Sequence, residues 1–219
     1  MEQRHLLPAG EAGGGLSRNW LCRRLATLPG ADAVCGPAVN GKDLAGYRLD
    51  PASLVDSAVL VPLIDRPEGL SVLLTERAAH LGAHAGQISF PGGRIEPTDP
   101  SPAAAALRET EEEVGVPPDS VELLARLDSY VTGTGYRITP VIGLICPPLR
   151  LRPDAREVAA VFEVPLTFVL EARNHRRVSH TREGVRRRYY SIGWGDRTIW
   201  GATAAILVGL SRIVVAAED

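Results

Sequence analysis

The chain has 219 residues, a formal net charge of −2 and a hydrophobic content of 45%. This length suits one domain of ordinary size with an appendage, and the charge gives no general electrostatic reason to bind nucleic acid or an anionic membrane. No apolar run reaches the roughly 20 residues that a membrane-spanning helix needs, which excludes an integral membrane protein of that kind.

The cysteines and the N-terminal sequence favour a cytoplasmic protein. Three cysteines are an odd number without metal-ligand spacing, so reduced thiols are expected at Cys22, Cys35 and Cys146. The first residues include Glu2, Arg4 and a glycine-rich stretch, and they lack the apolar segment of a secretory signal.

Residues 1–52 are predicted to be an N-terminal extension. Its first residues, up to about Ala12, have a composition typical of disorder. A helix is predicted from Leu16 to Leu28, and its apolar side indicates packing or dimerisation, so a homodimer is one of two alternatives. A connector rich in proline, glycine and aspartate follows from Gly30 to Pro51.

Residues 53–219 are predicted to form one catalytic domain that mixes strands with helices. Strands are predicted at Ala58–Ile64, Leu70–Thr75, Gln87–Phe90, Val121–Val131, Ile138–Ile145, Glu157–Phe162, Arg187–Ile192 and Arg197–Trp200, and two further helices at Leu166–Glu171 and Ala202–Ala216. This pattern predicts an α+β fold, an α/β/α sandwich around a mixed sheet.

The most informative helix can be recognised from its ends. Ser101 is a good N-cap and Pro102 suits the first helical position. Gly115 is a natural left-handed terminator. The helix is therefore predicted to begin after Ser101 and to end just before Gly115.

This helix carries a dense carboxylate cluster near its C-terminus. At about 100° per residue, Glu112 and Glu113 fall on the same face as Glu109, whereas Glu111 lies roughly opposite. A solvated acidic face partly offset by Arg108 is one explanation. The helix dipole disfavours anions at this end, however, and carboxylates are the usual ligands of Mg²⁺ or Mn²⁺.

A glycine bend precedes the helix and favours the metal explanation. Gly92 and Gly93 allow the backbone to approach a ligand or ion closely, and a carbonyl there, which we assign to Gly93, is available to a metal. Taken alone, the pair would predict only a tight turn.

The stretch from Gly93 to Val116 resembles the signature of the Nudix hydrolases, G-x5-E-x7-R-E-U-x-E-E-x-G-U, in which U is a bulky aliphatic. The matching residues are Arg108, Glu109, Glu112, Glu113, Gly115 and Val116. Thr110 replaces an aliphatic residue, and the loop before Arg108 is one residue longer than the general pattern. Asp99 takes the place of the isolated acid.

The longer loop is similar to that of the coenzyme A pyrophosphatase branch of this superfamily. Leu73–Ala78 matches the start of that branch's upstream motif, and Phe90–Gly93 matches its end, with Gly86 at the correct spacing. Gly82 stands where the motif has an arginine, which favours another nucleoside diphosphate derivative such as ADP-ribose, NADH or a dinucleotide. A non-catalytic nucleotide-binding module is a further alternative.

The resemblance implies an α/β/α sandwich and a hydrolase of coenzyme A or acyl-coenzyme A, with 3′,5′-ADP and (acyl-)4′-phosphopantetheine as products. It implies one to three Mg²⁺ or Mn²⁺ ions held by the three glutamates, with Arg108 orienting them. The general base is expected to be a carboxylate of the metal helix or Glu157, for which an exposed salt bridge with Arg156 or another surface arginine is the alternative.

Substrate contacts complete the expected site. They are predicted at Arg77, His84, Phe90 and Tyr136, although aromatic residues such as the last two are more often packed in a core than stacked on a base. The cluster Arg186–Arg188 is expected to form a solvated strand edge or to meet substrate phosphates.

Overall fold

Two β-sheets and four α-helices make up the part of the chain that the computed structural model describes, which comprises residues 16–31, 49–80, 86–182 and 185–216. The helices are α1 (Arg18–Leu25), α2 (Pro102–Val114), α3 (Leu166–Leu170) and α4 (Gly201–Ala216). The strands are β1 (Val55–Arg66), β2 (Gly69–Arg77), β3 (Ile88–Ser89), β4 (Gly92–Arg94), β5 (Val121–Arg126), β6 (Tyr130–Val131), β7 (Tyr136–Ile145), β8 (Val158–Pro165), β9 (Arg176–Arg182), β10 (Val185–Trp194) and β11 (Arg197–Trp200).

The large sheet is mixed, as the sequence predicts. Its central path runs β3-β2-β1-β7-β5, and β4, β6 and β8 pair with β1, β7 and β2. Strand β1 lies parallel to β7 from Val55↔Tyr136 to Ile64↔Ile145 and antiparallel to β2 and β4. Because β1 is covered on both faces, it is almost continuously apolar rather than alternating.

Helices cover the two faces of this sheet, which confirms the α/β/α sandwich. On one face Leu60 of β1 packs with the alanines of α2, including Ala103 and Ala106. On the other face the next residue, Val61, belongs to a larger core that α1, α3 and α4 complete. Successive strand residues therefore point to different helical layers.

Helix α2 begins and ends where its caps predict. The Ser101 hydroxyl accepts a 3.2 Å hydrogen bond from the Ala104 N–H. Gly115 has a φ of +72°, and its N–H donates to the Glu111 carbonyl. Thr110 is buried against the sheet, and its hydroxyl donates to the Ala106 carbonyl at 2.6 Å, which satisfies a polar group at an aliphatic position.

Helix α1 packs within its own chain. Leu21 and Leu25 are buried in the same core as α4, and the Leu70 N–H of β2 donates to the Leu16 carbonyl. The apolar side of α1, formed by these two leucines, thus packs in the core of the same chain. No helix in the described ranges combines the length and the apolar character that crossing a bilayer requires.

Candidate active site

The glycine bend brings the backbone of β4 against a carboxylate of α2. Gly92 and Gly93 pair with Val59 and Ala58 of β1. A Cβ at Gly93 would lie 2.5 Å from each carboxylate oxygen of Glu109, so no larger residue fits there without moving that group. The large sheet and α2 are therefore in close contact where the Glu109 carboxylate lies against Gly93.

Glu113 is the most deeply buried acid of the cluster. Only 4% of the residue is exposed. Burial raises the pKa of its carboxyl to about 8; the charges of Glu157 and Glu109 add to the rise, whereas Arg77 and the Gly92 N–H oppose it. The nearest Arg77 nitrogen lies 4.0 Å from the Glu113 Oε1, too far for a hydrogen bond that would neutralise the charge.

Glu109 and Glu112 share the same face but differ in exposure. Burial raises the pKa of Glu109 even though Arg108 bonds it, and the charges of Glu112 and Glu157 raise it further. The Glu112 side chain is 59% exposed and accepts a 3.3 Å bond from Arg108. The exposure of the three acids thus increases from Glu113, beside the glycine bend, through Glu109 to Glu112.

Arg108 holds this arrangement together. Its guanidinium donates two 3.1 Å bonds to Asp99, and others to Glu109 at 2.9 Å, to Glu112 at 3.3 Å and to the Arg94 carbonyl at 3.2 Å. These bonds hold the pKa of Asp99 below its ordinary value. Arg108 therefore contacts two of the three glutamates, and its bonds to Asp99 are a contact that the sequence did not indicate.

A loop fastened to the C-terminus of α2 carries Glu157. The N–H groups of Arg152 and Asp154 donate to the carbonyls of Val114 and Glu113 at 2.8 and 2.9 Å. The Glu157 N–H then bonds the Asp154 carbonyl at 2.9 Å. The last turn of the acidic helix and the loop with Glu157 therefore form one rigid connection.

Glu157 lies within electrostatic range of the buried acids, since its charge raises the pKa of both Glu109 and Glu113. The alternative is an exposed salt bridge with Arg156 or another surface arginine. The Arg156 guanidinium bonds the Asp154 carboxylate at 2.7 Å. Glu157 thus interacts electrostatically with both Glu109 and Glu113.

Glu111 lies apart from this group, as its position on the helix predicts. It lines a separate cavity of about 460 Å³ together with Gly115 and Arg152. It is consequently a suitable reference position for variants of the acid cluster.

The donor set fits a hard divalent cation. Among the described residues, no three acidic, histidine or cysteine side chains already converge as a ligand set. Arg108 bonds Glu109 and Glu112 and partly neutralises them. Glu113 is left buried among like charges, which is the environment that a cation beside carboxylate and backbone oxygens would relieve.

A cleft of about 990 Å³ opens beside the glycine bend and contains most of the predicted substrate contacts that the structure describes. Arg77 and Tyr136 line it, and the Arg94 guanidinium lies 5.9 Å from the centre of the Tyr136 ring. Phe90 also borders it but is only 3% exposed, so its ring packs in the core and has no free face for stacking a base. His84, like Gly82, lies outside the described residues.

Residues Arg186–Arg188 lie on β10, where β9 pairs with them along one side. Strand β11 pairs only with Ser191–Trp194 further along β10, so within the described residues the other side of this segment is at the edge of the small sheet, as expected. Arg187 and Arg188 line the cleft, whereas the side chain of Arg186 is outside the described part. The sequence did not indicate β9, because its segment is polar and lacks an apolar alternation.

The chain is similar in sequence to a known protein family. The NUDIX domain model matches residues 55–187. An uncharacterized Nudix hydrolase NudL of Escherichia coli (strain K12) is 44% identical over 151 residues, which cover 69% of this chain and 78% of that protein. The protein of the same name from Shigella flexneri is 42% identical over 158 residues, covering 72% and 82%.

Two solved structures align with part of this chain. A MutT protein from Methanosarcina mazei aligns with a TM-score of 0.49 at 17% identity, over 76% of this chain and 96% of that one. An Ap4A hydrolase complex from C. elegans gives a TM-score of 0.44 at 20% identity, over 52% and 82%.

Proposed function

This chain belongs to the NUDIX family, and we propose that it hydrolyses the pyrophosphate bond of coenzyme A or acyl-coenzyme A. It is a Nudix hydrolase of nucleoside diphosphate derivatives; the identity of the substrate is the proposal. The products would be 3′,5′-ADP and (acyl-)4′-phosphopantetheine. The observation that carries the chemistry is the carboxylate pair at the Gly92–Gly93 bend, in which Glu113 is buried and Glu109 is partly buried.

The proposed cofactor is Mg²⁺ or Mn²⁺. The ligands would be the carboxylates of Glu109, Glu112 and Glu113 and the carbonyl of Gly93. When bound, such an ion would stabilise negative charge that develops on the pyrophosphate and would lower the pKa of a water molecule.

The chain's own groups have separate proposed tasks. Arg108, held by Asp99, keeps the carboxylates of Glu109 and Glu112 oriented. Glu157 accepts the proton of the attacking water, since its loop is fixed to the metal helix and its charge reaches the cluster. Arg77, beside Glu113 and on the cleft, contacts a substrate phosphate.

The domain division is proposed on the same basis. Residues 53–219 would form the catalytic domain, which includes the whole family match at residues 55–187. Residues 1–52 would be an extension whose helix α1 packs on α4.

Coenzyme A is favoured by the Leu73–Ala78 and Phe90–Gly93 segments and by a cleft large enough for a nucleotide. A different nucleoside diphosphate derivative, such as ADP-ribose, NADH or a dinucleotide, is the second candidate. It is favoured by Gly82, where the coenzyme A motif has an arginine. A non-catalytic module is less well supported, because a mere binder has no use for crowded buried acids.

The test is a substrate panel with product identification by mass. Purified protein with Mg²⁺ or Mn²⁺ is incubated with coenzyme A, acetyl-coenzyme A, ADP-ribose, NADH and diadenosine compounds. We expect 3′,5′-ADP from coenzyme A, abolished turnover in Glu113→Gln, and wild-type turnover in Glu111→Gln. Equal or faster cleavage of ADP-ribose, NADH or a diadenosine compound would overturn the coenzyme A assignment.

A further inference from the structure

Four side chains share one face of the small sheet. His180 of β9 lies directly opposite Arg187 of β10, and Tyr189 is two residues further along β10. Trp200 of β11 pairs with Ser191, again two residues further. Because side chains alternate between faces along a strand, these residues form one stripe, which we call the stripe face.

The opposite face of the same sheet belongs to the core. Ile192 and its partner Ile199 are fully buried there. Tyr190, on that side, accepts a 2.6 Å bond from Arg212 of α4. The stripe face is therefore on the other side of this sheet from Ile192 and Ile199, and all four of its residues line the cleft that also contains Gly92 and Gly93 and the start of α4.

Trp200 is the residue on this face best suited to bind a ring. It is 42% exposed and is the one large hydrophobic residue exposed within the described ranges. Tyr189 contacts it edge-on, with ring centres 5.8 Å apart at 62°, which holds the indole in place and leaves its outer surface in the cleft. A fixed aromatic side chain in a cleft can stack on any nucleobase, because every base has a flat π-face.

The cleft is also lined by a single sign of charge. The charged residues of its described lining are Arg77, Arg94, Arg187 and Arg188, and no aspartate or glutamate is among them. A cleft with walls of one charge attracts ligands of the opposite charge. The arginines at the two ends can serve different phosphates, since Arg77 neighbours the acid cluster and Arg187 lies on the small sheet.

We propose that the stripe face binds the adenosine end of the substrate, with the purine stacked on Trp200 and a ribose phosphomonoester held by Arg187 and His180. This inference rests on the proposed function, because it places a phosphate that is not cleaved away from the scissile bond. Arg187 and Ser191 are separated by about 13 Å along the strand at about 3.3 Å per residue. Two long side chains with a nucleoside phosphate between them can span that interval.

The chemistry recognised is an adenosine that carries a phosphomonoester on its ribose. Coenzyme A has this group at the 3′ position, and NADPH has it at the 2′ position. The stripe face would thus select substrates that carry a ribose phosphate. The upstream motif lacks an arginine for this purpose, because Gly82 stands in its place.

Binding without turnover tests the inference. Isothermal titration calorimetry of the whole protein in EDTA measures the affinity for 3′,5′-ADP, 2′,5′-ADP and 5′-AMP. Trp200→Ala should weaken all three by about tenfold or more, and Trp200→Phe should retain most of the affinity. Arg187→Ala should weaken the bisphosphates by about tenfold or more and leave 5′-AMP unchanged.

Arg23→Ala is the matched control, since Arg23 is exposed on α1 and does not line the cleft. It should bind all three nucleotides as the wild type does. In turnover, Arg187→Ala should raise KM for coenzyme A with kcat nearly unchanged and should abolish the preference for coenzyme A over dephospho-coenzyme A.

The two proposals fail separately. Equal affinities of Arg187→Ala and Arg23→Ala for the bisphosphates, or unchanged binding in Trp200→Ala, would overturn the stripe face while coenzyme A hydrolysis could stand. Arg187-dependent binding of 3′,5′-ADP by a protein that cleaves no coenzyme A would support the stripe face and overturn the proposed function. Tighter binding of 2′,5′-ADP would support the stripe face and place its phosphate at the 2′ position.

Discussion

Replacing Glu113 with glutamine should stabilise the metal-free protein, although it removes an acid that we assign to catalysis. The carboxyl is buried, with a pKa raised from 4.5 to about 8. The folded protein therefore binds this proton more tightly than the unfolded chain does. Stability contributed by the protonated group is present below pH 4.5 and is lost as the pH rises towards 8.

The size of the effect follows from those two values. At pH 7 the unfolded carboxyl is ionised whereas the folded one is mostly protonated, and each pH unit above 4.5 costs about 1.4 kcal/mol. The loss at pH 7 is then about 3 kcal/mol. Glutamine avoids it and can still accept the Gly92 N–H, but its own NH₂ needs a partner, so the net gain should be about 1–3 kcal/mol.

Thermal unfolding in EDTA, followed by circular dichroism between pH 5 and 8, measures this gain. A protein of this size shifts in Tm by about 2–4 °C per kcal/mol. The difference between Glu113→Gln and wild type should widen with pH, and Mn²⁺ should stabilise the wild type more than the variant. The matched control is Glu111→Gln, on the opposite side of the same helix, which should show neither effect.

Three results would refute this reasoning. The first is a Glu113→Gln protein that is less stable than wild type at pH 8 in EDTA. The second is a gain that does not depend on pH. The third is an equal gain in Glu111→Gln, which would assign the effect to the net charge of the helix.

Three further variants test other contacts of the site and the sheet. Gly93→Ala places a methyl group in the space of the Glu109 carboxylate, so kcat/KM should fall by about 100-fold with normal circular dichroism; activity near that of wild type would remove the close contact from the account. Glu157→Gln should lower kcat by about 10²–10⁴ with little change in KM, and an unaltered rate would exclude Glu157 as the base. The pKa of Glu163 is lowered, chiefly by its hydrogen bond from Arg66, so the stability that its carboxylate contributes should be lost as the pH falls through that lowered pKa. Glu163→Gln should therefore reduce the fall in Tm at acid pH. An unchanged fall in Tm would contradict the pairing.

Local signals predicted α2 and its acidic face well. The cap at Ser101, the terminator at Gly115 and the separation of Glu111 from the cluster all follow from preferences within a few residues of the chain. The strands β1 and β7 were also predicted, because a short apolar run indicates a buried strand even when its partner strands are not known.

Contacts between distant segments could not be predicted in the same way. The bidentate bond between Asp99 and Arg108 depends on the path of a loop that is one residue longer than the general signature. Strand β9 is formed by pairing with β10 rather than by its own polar sequence. The stripe face followed only from that pairing, since His180 and Trp200 are brought beside Arg187 by strand register.

Anomalous diffraction from a crystal soaked with Mn²⁺ and a non-hydrolysable diphosphate tests the central claim most directly. We predict an anomalous peak between the carboxylates of Glu109 and Glu113 and beside Gly93, absent in Glu113→Gln crystals soaked identically. A map with no peak there, in which Arg108 still bonds Glu109 and the diphosphate is bound elsewhere, would contradict the account.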